Sequence, residues 1–356
     1  MSLQAIGWNA FFDDQVSKKE REHLQPARVV AVHKGASEVS DGATVELAKM
    51  TGRFRHQAQS RIDYPTVGDW VLVKGYGQDE FGRIERRLER RSLLKRKSAG
   101  RSIREQAIAA NIDSAFIVQG MGPGFNVRRV ERYLVMVHES GIEPIVVLTK
   151  TDLMEKAAAK TLAAEVSERI PQVRVVALSN LTGEGLSDLQ PLLETGLTCC
   201  VIGVSGAGKS TLLNQFLEEE ELFTLPVRVS DGKGVHSTTW RELITLKNGA
   251  HVVDTPGMRE LGNMASVTGI ENTFEEIEKL ALNCTFSDCL HEQRSGCAVL
   301  EAVEKGALSE VQYLHYMRLM QEKQEASKRV EERAEHERKS SRFYRSRRWN
   351  KAGEDT

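Results

Sequence analysis

No stretch of this 356-residue chain approaches the ~18 consecutive apolar residues that suggest a membrane span, although 40% of its residues are hydrophobic. The N-terminus lacks an apolar leader region: Phe11 and Phe12 run at once into Asp13 and Asp14, so no secretory signal is expected and the cytoplasm is the expected compartment. Cysteine is scarce. An odd total of five argues against a disulfide framework. Cys199 and Cys200 lie in an apolar run and read as buried strand residues. Net charge is also nearly absent, at −1, but the balance hides an asymmetry. From Arg83 to Arg104 there are ten Lys/Arg against two Glu. From Arg338 to Lys351 there are seven basic residues and no acid, interleaved with Phe343, Tyr344 and Trp349, while acid collects at Glu218–Glu221. Basic blocks with aromatics can neutralise phosphates and stack on unpaired bases. The same residues also suit a solvated helix face and a frayed tail.

The length allows two or three domains, each with its own core. Residues 1–26 read as a polar extension with one short apolar patch. From Ala27 to about Leu94 short strand patterns recur, as in Ala27–Val32, Thr44–Leu47 and Asp69–Val73, separated by Gly, Asp and Pro. This pattern predicts a small β-barrel over 27–100, OB-like or SH3-like. Beyond that, apolar runs at Ser114–Val118, Ile145–Leu148, Arg174–Leu178 and Cys199–Gly203 alternate with amphipathic stretches. The alternation predicts a doubly wound α/β domain over 101–267. Lys247-Asn248-Gly249 marks a tight hairpin within it. Residues 268–356 read as mainly helical, with Leu308–Arg338 rich in helix formers.

Three nucleotide motifs stand in the α/β segment. Gly203-Val204-Ser205-Gly206-Ala207-Gly208-Lys209-Ser210-Thr211 follows a buried strand and opens a helix, the context a phosphate loop requires. Its N–H groups can curl around a β-phosphate, Lys209 can reach the β- and γ-phosphates, and the Ser210 hydroxyl can ligate Mg²⁺. Asp254-Thr255-Pro256-Gly257 ends a later apolar run, where Asp254 can act near Mg²⁺ and Gly257 N–H can sense the γ-phosphate. Thr149-Lys150-Thr151-Asp152 suits guanine: Asp152 accepts from the base N1–H and N2 amine, and Lys150 lies over the ring. A backbone N–H near Ser179 can meet O6. The order is base motif, phosphate loop, γ-phosphate sensor, which is a rotation of the usual GTPase order. It predicts a circularly permuted GTPase.

Two expected side chains are missing. Position 149 is Thr where Asn is usual, so the loss of an amide tie to the phosphate loop predicts weaker nucleotide affinity. Position 258 is Met rather than the Gln that orients water, so intrinsic hydrolysis should be slow and completed by a partner. Asp231–Thr239 supplies glycines and hydroxyls for a first switch, with Thr238 as the second Mg²⁺ ligand. His236 is the local candidate to orient water; its alternatives are contact with RNA or packing in the ordered switch. Downstream, Cys284-x4-Cys289-x-His291-x5-Cys297 offers three thiols and an imidazole within fourteen residues. That set suits a closed tetrahedral Zn²⁺ site, or else a group of buried free cysteines.

The rotated motif order, the Gly-rich His-Ser-Thr-Thr switch, the preceding barrel and the following Cys/His cluster resemble the ribosome small-subunit-dependent GTPase A family (YjeQ/RsgA type). Ile108–Asp113, Phe125–Tyr133 and Asp254–Glu260 match it as well, while Val235 departs from the family's usual basic residue. The resemblance implies a GTP hydrolase stimulated by the small ribosomal subunit, acting late in that subunit's maturation through rRNA binding and GTP-dependent release. It further implies His236 as the catalytic residue, one structural zinc on Cys284, Cys289, His291 and Cys297, and functional contact with ribosome-binding factor A. No membrane partner is expected, and the chain is expected to be a monomer. The rival reading is an rRNA-binding scaffold in which guanine nucleotide is a structural ligand. A P-loop kinase or ATPase is disfavoured by Lys150 and Asp152.

Overall fold

In the computed structural model, which describes residues 2–78, 80–97, 105–122, 124–204, 206–218, 242–254, 270, 272–286, 289–293 and 295–324, the N-terminal strand patterns close into a ring. Strands β1 (Gln25–Val32), β2 (Ser37–Ser40), β3 (Val45–Met50), β4 (Trp70–Lys74) and β5 (Gly82–Arg87) pair in the order β1-β2-β3-β5-β4. β4 returns to β1 through Gln25↔Val73 to Arg28↔Trp70 and closes the barrel. All neighbours are antiparallel except β3 and β5. This five-stranded closed ring is the OB-like alternative of the two the sequence left open. Period-2 alternation turns Ala27, Val29, Val39, Ala48, Val71, Val73 and Ile84 inward.

The first 24 residues are not a polar extension. Ile6, Trp8, Phe12 and Val16 are buried against Trp70 and Leu72 on the outer face of β4 and against Leu88 just past β5. Trp8 and Trp70 meet edge-on at 4.8 Å between ring centroids. A strand covered on both faces needs no polar residues, which is why Trp70-Val71-Leu72-Val73 is apolar without alternation. Short helices at Ala10–Asp13 and Lys18–Arg21 hold this segment in place, the first capped by Asn9 and the second by a Ser17/Glu20 capping box.

The expected barrel boundary at residue 100 falls inside a separate two-stranded pair, β6 (Leu93–Lys97) with β7 (Glu105–Ala110). The α/β sheet then runs β8 (Ser114–Gly120), β9 (Glu143–Thr149), β10 (Arg174–Ala177), β11 (Thr198–Gly203), β12 (Glu242–Thr245) and β13 (His251–Asp254). Its spatial order is β10-β9-β8-β11-β13-β12, parallel except for β12. The chain thus enters this sheet at β8, in its interior. Alternate residues of each strand feed opposite cores: Cys200 and Ile202 pack on one side, Cys199 and Val201 on the other. Burial pushes both cysteine thiols up, that of Cys200 to about 12, so neither is a reactive thiolate. β12 also touches β1 at Ala31↔Glu242, joining barrel and α/β strands into one sheet.

Arg28 sits at that junction, 2% exposed. It donates to the Ile6 carbonyl (2.6 Å), to Thr198 Oγ1 (2.7 Å) and to the Asn111 carbonyl (3.4 Å). Nearby, buried His251 donates from Nε2 to the Ala5 carbonyl at 3.1 Å, which leaves Nδ1 to accept from Thr245 Oγ1 at 3.0 Å. Burial and then the Arg28 cation push the His251 pKa down from 6.5 to about 3. The folded value lies below the unfolded one, so protons favour the unfolded chain. The stabilising contribution is complete above about pH 6.5 and is lost as pH falls toward 3, by at most about 1.4 kcal/mol per pH unit. His251→Gln is therefore expected to flatten the fall in unfolding free energy between about pH 6 and pH 4 by one proton's slope, measured by urea titration. Equal slopes in the two proteins would remove His251 from the acid response.

The chain divides into two compact units, Met1–Met264 and Ala265–Thr356. In the second, helices Glu275–Ala281, Ala298–Glu304 and 310–324 surround Phe274, Ile277, Val299, Leu308, Tyr316 and Leu319, all buried. Among the described residues no helix is long and apolar enough to cross a membrane.

Candidate nucleotide site and metal centre

The C-terminal ends of β8, β9, β10 and β11 share one edge of the parallel sheet, where open α/β sheets bind ligands. β11 ends at Gly203, and a Cβ there would collide with the Val118 carbonyl of the neighbouring strand. Gly206 and Gly208 take φ of 77° and 92°, curling the loop back before the helix Lys209–Glu218 begins. Lys209 Nζ donates to the Val204 carbonyl at 2.6 Å, folded over the loop it would leave to reach phosphate. Ser210 and Thr211 are exposed in the first turn of that helix, where the free N–H groups and the dipole favour an anion.

β9 delivers the base motif. Thr149 is its last residue and fully buried; Lys150 is left-handed at φ 65°, with its stem packed over Gly120. Thr151 and Asp152 begin a 3₁₀ turn, and the Thr151 N–H donates to the Leu178 carbonyl at 3.3 Å. Ser179 Oγ donates to Asp152 and so fixes the carboxylate expected to read guanine. In the Ser179 turn, the Ser179 N–H is taken by the Glu184 carbonyl, and those of Leu181 and Thr182 by Ser179 Oγ. Among these four residues the Asn180 N–H has no such partner within the turn.

Thr149 makes a contact that the sequence reading did not anticipate. Thr149 Oγ1 donates to the Ala207 carbonyl at 2.5 Å, so the hydroxyl itself ties the base loop to the phosphate loop. A second tie comes from Asn180, whose Nδ2 donates to the Gly208 carbonyl at 2.9 Å. Gln215 Nε2 donates to the Asn180 carbonyl at 2.5 Å. The sequence reading missed Asn180 and Gln215; the available signal was a side-chain amide directly after Ser179. Thus Thr149, Lys150, Thr151, Asp152, Ser179, Gly203, Val204, Gly206, Ala207, Gly208, Lys209, Ser210 and Thr211 converge. Asp254 ends β13, beside β11. Ser205, Thr255, Pro256, Gly257, Met258, Val235, His236 and Thr238 lie outside the described residues, as does the basic tail from Arg338.

Five residues of the basic block after Arg83 are committed internally. Arg86 pairs with Glu20, Arg91 with Asp113, and Lys95 with Glu105, while Arg87 donates to the Asp63 and Leu88 carbonyls. Arg90 forks onto Asp69 with two 2.7 Å bonds. Sequence charge alone did not distinguish these roles from phosphate binding.

In the second unit Cys284, Cys289, His291 and Cys297 bring one ligand atom each within 4.8 Å of one another. His291 Nδ1 lies 3.5 Å from Cys297 Sγ and 3.7 Å from Cys284 Sγ. Zn–S near 2.3 Å and Zn–N near 2.0 Å in a tetrahedron place such atoms about 3.6 Å apart, so the set fits a four-coordinate ion with no open position. His291 is left-handed at φ 58°, held by Tyr313 donating to its carbonyl at 2.7 Å. Burial lowers the His291 pKa and keeps the imidazole neutral, its metal-binding form. Burial opposes ionisation of Cys284, but the Ala298 and Val299 N–H groups overcome it and hold its thiol below the ordinary value.

A sheet entered at β8, with base loops preceding the phosphate loop in the chain but meeting it in space, defines a circularly permuted GTPase. The family model for RsgA GTPases matches residues 87–264. The chain is 38% identical over 340 residues to the small ribosomal subunit biogenesis GTPase RsgA of Opitutus terrae, covering 93% of this chain and 92% of that one. It is 41% identical to RsgA 2 of Vibrio vulnificus, named in the same words, over 90% and 88% of the two chains. Among solved structures, YjeQ from Thermotoga maritima aligns with a TM-score of 0.63 at 27% identity, over 84% of this chain and 98% of that one. YloQ, described as a circularly permuted GTPase, aligns at 0.62 and 26%, over 87% and 99%. The chain belongs to the RsgA GTPase family.

Proposed function

We propose that this protein hydrolyses GTP to GDP and phosphate during biogenesis of the small ribosomal subunit, with a low intrinsic rate that the subunit raises. The observation that carries the reading is the convergence of Thr149–Asp152 and Ser179 on Gly203–Thr211 at one sheet edge, within a chain whose relatives are named for that role. In this reading Asp152 and Lys150 select and cover guanine, the phosphate loop and Lys209 hold the phosphates, and Gly257 senses the γ-phosphate. Ser210 and Thr238 would hold Mg²⁺, which when bound would supply positive charge to offset that of the phosphates. His236 orients the attacking water, a role Met258 cannot fill. The barrel and the Cys/His unit, the latter built on one zinc ion, grip rRNA; hydrolysis relaxes both switches and releases the protein late in maturation. It works in the cytoplasm as a monomer, in functional contact with ribosome-binding factor A.

GTP turnover measured with and without purified small subunits tests this. Strong stimulation is expected. His236→Ala should bind GTP normally and lose about 10²–10⁴-fold of the stimulated rate. Unchanged stimulated turnover in that variant removes His236 from the mechanism. No stimulation of the wild type favours the scaffold reading, in keeping with Met258, and a preference for ATP favours a kinase.

A further inference from the structure

We propose that Asn180 is a positioning residue that couples guanine recognition to phosphate binding, sharing with Thr149 the work of joining the two loops. The inference deepens the guanine-site reading above and rests on it.

Asn180 follows Ser179, the residue that bonds Asp152. Its amide reaches across the crevice and donates to the Gly208 carbonyl at 2.9 Å, immediately before the phosphate-loop helix. Its own carbonyl accepts from Gln215 Nε2 at 2.5 Å, nearly two turns farther along that helix. The turn carrying the base contacts is thereby stapled at two heights to the element carrying the phosphate contacts. Thr149, from the other base loop, adds the 2.5 Å bond to the Ala207 carbonyl. Consecutive carbonyls of the phosphate loop thus receive one side chain from each base-reading segment.

Close approach is built in on the other side. A Cβ on Gly208 would lie 2.7 Å from Asn180 Nδ2, and the φ of 92° there also favours glycine. The Asn180 Oδ1 is buried and, among the described residues, has no hydrogen-bond partner. A buried amide with an unmet acceptor is a costly group to retain, while its Nδ2 secures the loop junction. Thr has one short hydroxyl and cannot reach two carbonyls, so an amide from the neighbouring loop completes what position 149 leaves undone.

The physical consequence concerns additivity. A nucleotide held at both ends gains most when base and phosphate sites are fixed at the right separation before binding. Cutting the Asn180 tie lets the Ser179 turn shift relative to Gly208, so each end can be satisfied only at the other's expense. Loss of one buried hydrogen bond of this kind is expected to weaken GDP and GTP binding about tenfold. It should also reduce the preference for GDP over IDP, because inosine lacks the N2 amine that Asp152 reads.

The experiment measures GDP and IDP dissociation constants and the thermal midpoint of nucleotide-free protein for wild type, Asn180→Ala, Thr149→Asn and the double variant. Expected are a roughly tenfold weaker GDP affinity and a smaller GDP/IDP ratio in Asn180→Ala, with a midpoint within about 2 °C of wild type. Thr149→Asn should restore most of the affinity in the Asn180→Ala background. GDP binding by Asn180→Ala within about twofold of wild type, or no recovery in the stable double variant, overturns the proposal. If Asn180→Ala does not fold, Asn180→Ser, whose hydroxyl is too short for the Gly208 carbonyl, carries the same test. Asp152→Asn separates this from the underlying reading: loss of guanine preference there upholds the site whatever Asn180 does. Unchanged preference would mean that guanine is read elsewhere.

Discussion

Chelation is expected to unfold the segment from Cys284 to Cys297 while leaving Met1–Met264 folded. The side chains around the ligands give that segment little else to hold it: Leu282, Phe286 and Leu290 are 86%, 59% and 63% exposed. A closed site of three thiolates and one imidazole contributes on the order of 10–16 kcal/mol of apparent binding energy in small zinc domains. The structure narrows what is lost. Outside that segment the unit keeps an apolar core, where Phe274 packs edge-on against Tyr316 at 5.7 Å and Ile277, Val299 and Leu319 are buried around them. The helices have this core of their own. Cys297, however, caps the helix Ala298–Glu304 by accepting from the Leu300 N–H, so loss of the ligand set also frees that helix's first turn. Zinc content near one per chain is expected by atomic emission, and amide exchange should rise from Cys284 through Leu300 after chelation. Cys289→Ser should lower the zinc content. Full zinc retention in that variant, or exchange unchanged by chelation, counts against the metal assignment.

Arg90→Ala is expected to destabilise the first unit by about 3–5 kcal/mol, the cost of stranding one partner of a buried ion pair. Asp69 has a wholly buried side chain, and that of Arg90 is 7% exposed. The guanidinium makes four hydrogen bonds: it forks onto both Asp69 oxygens and also donates to the Ile62 (2.7 Å) and Tyr64 (3.0 Å) carbonyls. Asp69 in turn accepts from the Thr66 N–H at 2.7 Å. Arg90→Lys should recover little, since an ammonium cannot reproduce the planar fork. Urea unfolding at neutral pH gives the value. A loss below about 1 kcal/mol would show that water or a rearranged neighbour satisfies Asp69. The double change Arg90→Ala/Asp69→Ala should cost less than the sum of the single changes, because the charge left unpaired by the first is removed by the second.

These arginines show what the sequence carried and what it did not. Periodicity placed the apolar strands well: Ile145–Leu148 and Cys199–Gly203 became parallel strands, and Lys247-Asn248-Gly249 became the β12–β13 hairpin. Motifs placed the phosphate loop and the Cys/His ligands because each depends on local spacing. Pairing between distant positions left no such trace. Nothing near Arg90 in the chain announces Asp69, and nothing near Trp8 announces Trp70, so the basic block stayed open between phosphate contact and a solvated face, and a buried strap read as a polar extension. Thr149 is the same lesson at the site. Judged by type it was a missing amide; judged by its neighbours it is one of two ties, and the amide arrives from Asn180 on another strand's loop.

The closing of β1 onto β12, secured by Arg28 and by the Ala5 carbonyl on His251, turns the first unit into a ruler. The barrel surface and the guanine crevice stand on one continuous sheet, so their separation is set by strand spacing of roughly 4.8 Å per step rather than by a linker. A partner that touches both must present its two contact points at that fixed span. One that offers either point alone, or both at the wrong distance, forfeits the gain of simultaneous engagement. A partner whose two contact points match that span would gain from both at once, without either contact being tighter on its own.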